Sequence, residues 1–219
     1  PRVAQEVGGD DQGAADDHRG ERSEAALGLQ LGDPQVQPLG DPVGSLAGQI
    51  AKIQGATAVG IAGGAAKCRL LTEELGFDAA VDYKAADFHA ALKAAAPRGI
   101  DVYFDNVGGD VFEACLFRMN LHGRIACCGA VSQYDGRPPA HGPRGVPGLI
   151  VTRRLRLQGF IVHDYLERSD EAIAPLQRWV AEGRLRVRED IVEGLEQAPA
   201  GLVGLLAGAN VGKRMVRVS

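Results

Sequence analysis

From Val43 onward, short solid runs of apolar residues alternate with stretches of helical periodicity, and glycine stands at most of the junctions. This alternation constrains the fold more than any other feature. Residues 45–54 (SLAGQIAKIQ) put Leu46, Ile50 and Ile53 on one helical face, with Gly55 behind them as a stop. Apolar runs bounded by turn residues predict strands over 57–62 (TAVGIA), 79–82 (AAVD), 101–106 (DVYFDN), 124–128 (RIACC), 156–162 (RLQGFIV) and 214–218 (RMVRV). Helices are predicted over 67–75, 88–95, 111–119 and 171–182. Strands covered by helices on both faces read as continuous apolar runs, and regular alternation with helices implies a parallel, doubly wound α/β sheet. The stretch 136–148 (GRPPAHGPRGVPG) is too rich in proline and glycine for either element and is expected to form a loop.

The first 42 residues differ in kind. They hold nine acids against three arginines, a net of −6, and contain no Ile, Phe, Tyr, Trp, Met, Cys or Lys. Such a segment buries too little apolar surface to offset its ordering entropy, so residues 1–42 are expected to lack stable structure. They have neither the basic start nor the apolar run of a signal peptide. The chain as a whole has a formal net charge of −4, which argues against a nucleic-acid binder. No run approaches the ~18–20 apolar residues of a membrane span. The four cysteines (Cys68, Cys115, Cys127 and Cys128) include no C-x-x-C pair, a spacing that suits neither a zinc cage nor a disulfide framework. A reducing, cytoplasmic setting is the expectation.

Five motifs stand at the expected carboxyl ends of strands or at helix starts. Gly40, Gly44 and Gly48 open the first helix, where glycine lets a backbone approach a pyrophosphate; a tight turn with close helix packing is the ordinary alternative. Gly63-Gly64-Ala65-Ala66-Lys67 ends the next strand without the acid that would hold a ribose 2′-hydroxyl. Lys67 instead opens the following helix, where a cation can meet a 2′-phosphate, or can be a plain surface lysine. Asp105-Asn106-Val107-Gly108-Gly109 follows an apolar strand and serves equally as a ligand-binding edge or a simple turn. In Cys128-Gly129-Ala130-Val131-Ser132-Gln133-Tyr134, the phenol of Tyr134 can donate to a developing oxyanion or pack under the adjacent loop. Gly208-Ala209-Asn210-Val211-Gly212-Lys213 is a basic turn before the last strand.

Taken in order, the segments VGSLAGQIAK, GGAAKC, DYK, DVYFDNVGG, CGAVSQY, QGFIV and GANVGK resemble the zinc-independent medium-chain dehydrogenase/reductase family. Within it they are similar to the NADPH-dependent alkenal/one (prostaglandin/leukotriene-type) reductases. The resemblance covers residues 43–219 and implies an NADP-binding Rossmann domain followed by a C-terminal segment. It places Gly44 and Ser45 at the pyrophosphate turn, and Lys67 and Tyr83 at the adenosine 2′-phosphate. Asn106 would lie along the cofactor. Cys128, Gly129, Ala130, Val131, Ser132, Gln133 and Tyr134 would line the nicotinamide side. Phe160, Ile161 and Val162 would cover the nicotinamide ribose and ring, and Asn210 would close the site. The implied reaction is hydride transfer to the β-carbon of an α,β-unsaturated ketone or aldehyde, with Tyr134 as the donor to the enolate. No metal is implied, and the family's habit implies a homodimer joined through sheet edges at 154–162 and 214–218. The chain has no Y-x-x-x-K, which separates it from the short-chain dehydrogenases. A quinone reductase of the same superfamily and a non-catalytic NADP-binding fragment are the alternatives.

Two parts of the family pattern are not found. The all-β substrate domain that precedes the nucleotide domain has no counterpart in residues 1–42. The first strand of the sheet would fall on Pro34-Gln35-Val36-Gln37-Pro38-Leu39, where two prolines oppose regular pairing and two glutamines would be buried. That strand is expected to be absent, and residues 1–42 are expected to derive from an out-of-frame or misjoined reading.

Overall fold

The structure, a computed structural model, describes residues 35–39, 42–133 and 141–218. A six-stranded parallel sheet has the order β3-β2-β1-β4-β5-β6. Its strands are β1 (Gln35–Leu39), β2 (Ala58–Ala62), β3 (Ala79–Asp82), β4 (Ile100–Asp105), β5 (Met119–Cys127) and β6 (Arg156–Gly159). Helices α1 (Pro42–Ile53), α2 (Ala65–Arg69, continued by a π-helical turn over Leu70–Glu74), α3 (Phe88–Ala95), α4 (Gly109–Leu116) and α5 (Val146–Arg153) connect them. After α6 (Ser169–Ala181), two parallel strands, β7 (Glu189–Glu193) and β8 (Lys213–Arg217), form a separate small sheet linked by α7 (Ala198–Leu206).

Strand periodicity explains how the main sheet is covered. Every residue of β2 is buried. Val59 and Ile61 join one core with Val81, Phe88, Leu92, Ile100, Tyr103 and Ile125, beneath α3 and α4. Ala58 and Ala62 face the other way, toward Leu71, Leu75 and Phe77. Side chains on that second face are small because α1 and α2 press close to it. A Cβ on Gly48 would lie 2.1 Å from Cζ of Phe77, and one on Gly60 would lie 2.5 Å from Cδ1 of Leu71. Gly48 thus serves helix packing, the ordinary alternative for its motif. Phe77 is buried, so a side chain at 48 would force its ring to shift, and Gly48→Ala is expected to destabilise the chain by about 1–3 kcal/mol in urea unfolding.

The missing first strand is corrected. Residues 35–39 form β1 and take the central place in the sheet. Pro38 is accommodated by uneven pairing: β1 pairs with β2 along all five residues, but with β4 only at Gln35 and Val36. The second ladder ends before the proline, which has no N–H to give. The expectation of no stable structure over residues 1–42 is therefore corrected at 35–39; its remaining positions apart from Pro42, which begins α1, lie outside the described residues.

Several boundaries also shift. The helix predicted over 111–119 starts at Gly109 and stops at Leu116, because Met119 already belongs to β5. The strand predicted through Val162 ends at Gly159, and a 3₁₀ turn begins at Val162. Of the expected loop 136–148, the last three residues open α5, whose proline sits in the first turn, where a missing N–H does no harm. The predicted last strand exists but pairs with β7, a strand that the periodicity did not reveal.

Gln49 ties α1 to the C-terminal part. Its buried side chain donates through Nε2 to the Arg186 carbonyl (3.0 Å) and accepts the Arg186 N–H at Oε1 (2.8 Å), as a neighbouring strand would. Arg188 reaches across to Glu74 at 2.8 Å.

Candidate functional site

In a doubly wound sheet the connections leaving the carboxyl ends of the strands lie along one edge, and ligands bind where the strand order reverses. That reversal falls between β1 and β4. Most of the residues singled out in the sequence lie on this edge: Gly44 and Ser45 after β1, Lys67 after β2, Tyr83 after β3, Asn106 after β4, Cys128 to Gln133 after β5, and Phe160 to Val162 after β6. Tyr134 lies outside the described residues.

At the β2–β3 end, Gly63 is crowded by two side chains. A Cβ there would lie 2.9 Å from Cε of Lys84 and 3.0 Å from Cε1 of Tyr83. Gly64, with φ at +101°, turns the chain into α2, a conformation that disfavours any other residue. Asp82 braces this turn, its Oδ1 accepting the N–H of Gly64 and the N–H of Lys84, each at 2.9 Å. The ammonium of Lys67 donates to the Gly208 carbonyl at 2.6 Å. Burial, and secondarily the charge of Lys84, lowers the Lys67 pKa, while Asp190 acts in the opposite direction. On the outer flank of Lys67 is a cavity of about 220 Å³ that also touches Arg69, Glu73, Arg188 and Val211.

At the β4–β5 end the site is held by one buried carboxylate. Oδ1 of Asp105 accepts the Tyr103 hydroxyl (2.7 Å), the Gly108 N–H (3.0 Å) and the Val107 N–H (3.2 Å), and so folds the turn that carries Asn106. This turn is stitched to the next one. Cys128 N–H donates to the Asp105 carbonyl (2.7 Å), Val131 N–H to that of Asn106 (3.0 Å), and Ser132 N–H to that of Val107 (3.0 Å). The Ser132 hydroxyl adds a 2.6 Å bond to the Val107 carbonyl. Oγ of Ser132 lies 3.5 Å from where a Cβ would stand on Gly108, whose φ is +73°. Arg144 is fastened to Glu113 of α4 through its backbone N–H and its guanidinium (2.8 and 2.9 Å).

Phe160 donates its N–H to the Cys127 carbonyl at 3.2 Å, and its ring packs between Phe104 and Tyr165. Ile161 and Val162 beside it are 64% and 66% exposed, an uncovered apolar step at the sheet edge. Asn210 is buried and donates through Nδ2 to the Gly212 carbonyl at 2.9 Å. Its loop is anchored by Asp190, whose Oδ2 accepts from Val211 N–H (2.9 Å) and Arg214 (2.8 Å), and it meets the edge at the Lys67–Gly208 bond.

Sequence reasoning gave no role to Asp82, Lys84, Tyr103, the carboxylate of Asp105, or Gln49, although each lies in one of the quoted segments. A polar residue inside an apolar strand was the available signal for Tyr103. An acid at each of two strand ends was the signal for Asp82 and Asp105.

Such an edge, with glycine-permitted turns, cations at one end and a braced turn beyond the reversal point, defines a nucleotide-binding domain of the doubly wound α/β class. Residues 42–179 match the zinc-binding dehydrogenase family, and the chain belongs to that family. It is 45% identical over 201 residues to an NADPH-dependent curcumin reductase of Escherichia coli (strain K12), which spans 87% of this chain and 58% of the relative. Over 180 residues it is 44% identical to a 2-alkenal reductase (NADP(+)-dependent) of Nicotiana tabacum, covering 81% of this chain and 51% of the relative. The crystal structure of CurA in complex with NADPH from Vibrio vulnificus superposes with a TM-score of 0.84 at 40% identity, covering 91% of this chain and 61% of that one. The chain therefore spans little more than half the length of the curated relatives it matches. Although the family description names zinc, no group of three or more His, Cys, Asp or Glu side chains among the described residues is placed to hold a metal ion. Among the described residues, no helix is long and apolar enough to cross a membrane.

Proposed function

We propose that this chain carries the cofactor-binding part of an NADPH-dependent oxidoreductase that reduces the C=C bond of α,β-unsaturated ketones and aldehydes. The observation that carries the reading is the grouping of Tyr83 and Lys84 over Gly63, with Lys67 in the helix that follows, at the strand end where an NAD-binding domain of this class places an acid. The nearby acid, Asp82, already spends one oxygen on two backbone N–H groups. Lys67 and Tyr83 would hold the 2′-phosphate. Gly44 and Ser45 would leave room for the pyrophosphate at the start of α1.

When bound, NADPH supplies the hydride. The chain's own residues orient and enclose: the Asn106 turn, stitched to residues 128–133, fixes one wall, and Phe160, Ile161 and Val162 give an apolar wall that excludes water. Tyr134 is assigned as the hydrogen-bond donor to the developing enolate oxygen, and Asn210 as the residue behind the Lys67 end. The outer edge of β6 is assigned to pairing with a second copy. A cytoplasmic setting suits the four free thiols, of which Cys115 is fully buried and Cys68, Cys127 and Cys128 half-buried.

Fluorescence titration of the purified chain with NADPH and NADH, followed by NADPH consumption with an enone and with a quinone, tests the reading. NADPH is expected to bind at least about tenfold tighter than NADH, the size of one charge-assisted contact. Enone-dependent consumption would support the reductase and quinone-dependent consumption the related alternative. Binding without turnover would assign this chain a binding role alone, and equal affinities would overturn the NADPH assignment.

A further inference from the structure

Lys84 is not among the residues that the sequence motifs assign, yet it occupies the centre of the Lys67 end. Resting on the NADPH reading above, we infer that Lys84 is a second cation of the 2′-phosphate site and that Asp82 is the positioning residue that holds it there.

The argument begins with the backbone. Lys84 follows Tyr83 at the end of β3, one strand over from Gly63. Its aliphatic stem lies over Gly63, with Cε 2.9 Å from the place a Cβ would take, so the absence of a side chain at 63 admits the lysine. Its Nζ stands 5.8 Å from the centroid of the Tyr83 ring, near the outer limit for a cation over an aromatic face, which leaves the ammonium loosely held and able to turn to an anion. The phenol oxygen of Tyr83 is in the same place, 3.1 Å from that Cβ position. Lys67 lies in α2, and the charge of Lys84, after burial, lowers its pKa. The like charges of Lys67 and Lys84 carry an unfavourable Coulomb term that a dianion between them converts to a favourable one.

Asp82 sets this geometry through backbone groups. One carboxylate oxygen takes the N–H of Gly64 and the N–H of Lys84, and so clamps the β2–α2 turn to the turn that follows β3. Among the acids near this end, Glu74 is paired with Arg188, and Glu73 lies on the cavity beside Lys67. Asp190 is occupied by Arg214 and the Val211 N–H.

Calorimetric titration with adenosine 2′,5′-bisphosphate and with 5′-AMP separates the 2′-phosphate from the rest of the cofactor. Wild type is expected to prefer the bisphosphate. Lys84→Ala should weaken bisphosphate binding about five- to tenfold, leave 5′-AMP unchanged and flatten the salt dependence, while Lys84→Arg should retain most of the affinity. Asp82→Ala should lower the same ratio, with little further effect in the Lys84→Ala background; a purely structural role would weaken both ligands together. If Lys67→Ala loses the preference but Lys84→Ala keeps it, or if Lys84→Ala weakens both ligands equally, the inference is overturned and the NADPH reading stands. If wild type shows no preference, the NADPH reading fails and takes the inference with it.

Discussion

Asp105→Ala is expected to destabilise the chain by about 3–5 kcal/mol, a large part of the ~5–15 kcal/mol that holds a typical domain together. The carboxylate is 3% exposed and receives three donors at one oxygen. Alanine would leave the hydroxyl of Tyr103, a residue 0% exposed, without the carboxylate it donates to. Burial, with Cys115 and Asp105 adding to it, keeps the Tyr103 hydroxyl pKa well above the ordinary phenol range, so at any working pH this group is a donor needing an acceptor. The N–H groups of Val107 and Gly108 would lose the bonds that bend the chain into the Asn106 turn. Asp105→Asn keeps an acceptor oxygen in place and should cost only about 1–2 kcal/mol. Tyr103→Phe should cost a similar amount, because it removes a donor and leaves two others on the carboxylate. The double change Tyr103→Phe/Asp105→Ala should fall short of the sum of its parts, since the orphaned hydroxyl is then gone. Urea unfolding of the four variants measures all of this. An Asp105→Ala variant within about 1 kcal/mol of wild type would show that the turn is held by other contacts.

This network marks a limit of what the linear chain discloses. The apolar run DVYFDN announces β4, and the glycines after it announce a turn, because strand burial and positive φ leave signatures in neighbouring residues. That a tyrosine two residues upstream supplies the aspartate with a donor depends on period-2 alternation placing both side chains on one face, which the run shows only once the strand is known. Lys84 and Lys67 are separated by a helix and a strand, and their meeting is a product of the crossover. Strand β1 misleads in the opposite direction. Its proline and two glutamines oppose a central strand by local rules, yet the sheet places it there and ends one hydrogen-bond ladder before Pro38. Strand β7 (EDIVE) alternates exposed and half-buried residues over five positions, too short and too charged to be told from a loop. The row of turns at the strand ends was legible from glycines placed after apolar runs. The residues that brace it were not, because they act through backbone N–H groups that any sequence possesses.

Lys67→Ala is expected to lower NADPH affinity by about ten- to a hundredfold and to leave NADH affinity nearly unchanged, the signature of a lost charge-assisted contact to a phosphate. Two effects of the substitution must be separated. The ammonium also donates to the Gly208 carbonyl, so its removal frees the turn that holds Asn210. Loosening that turn would weaken both dinucleotides alike, whereas losing the phosphate contact acts on NADPH alone, and the NADH titration therefore measures the first effect by itself. Ionic strength gives a second separation: the wild-type preference for NADPH should shrink as salt screens the contact, and the variant, left with Lys84 alone, should show a weaker dependence. The titration of Lys67 supplies a third. Burial and the Lys84 charge lower its pKa, so the free site loses its cation at a less alkaline pH than an ordinary lysine would. A bound phosphate favours the charged form and pushes the pKa back up. NADPH affinity should then decline, relative to NADH, as pH rises through the free-site pKa from below the usual lysine range, and this decline should be absent from Lys67→Ala. Loss of both affinities together, with no change in salt or pH dependence, would assign Lys67 to holding the Gly208 turn and remove it from the phosphate site.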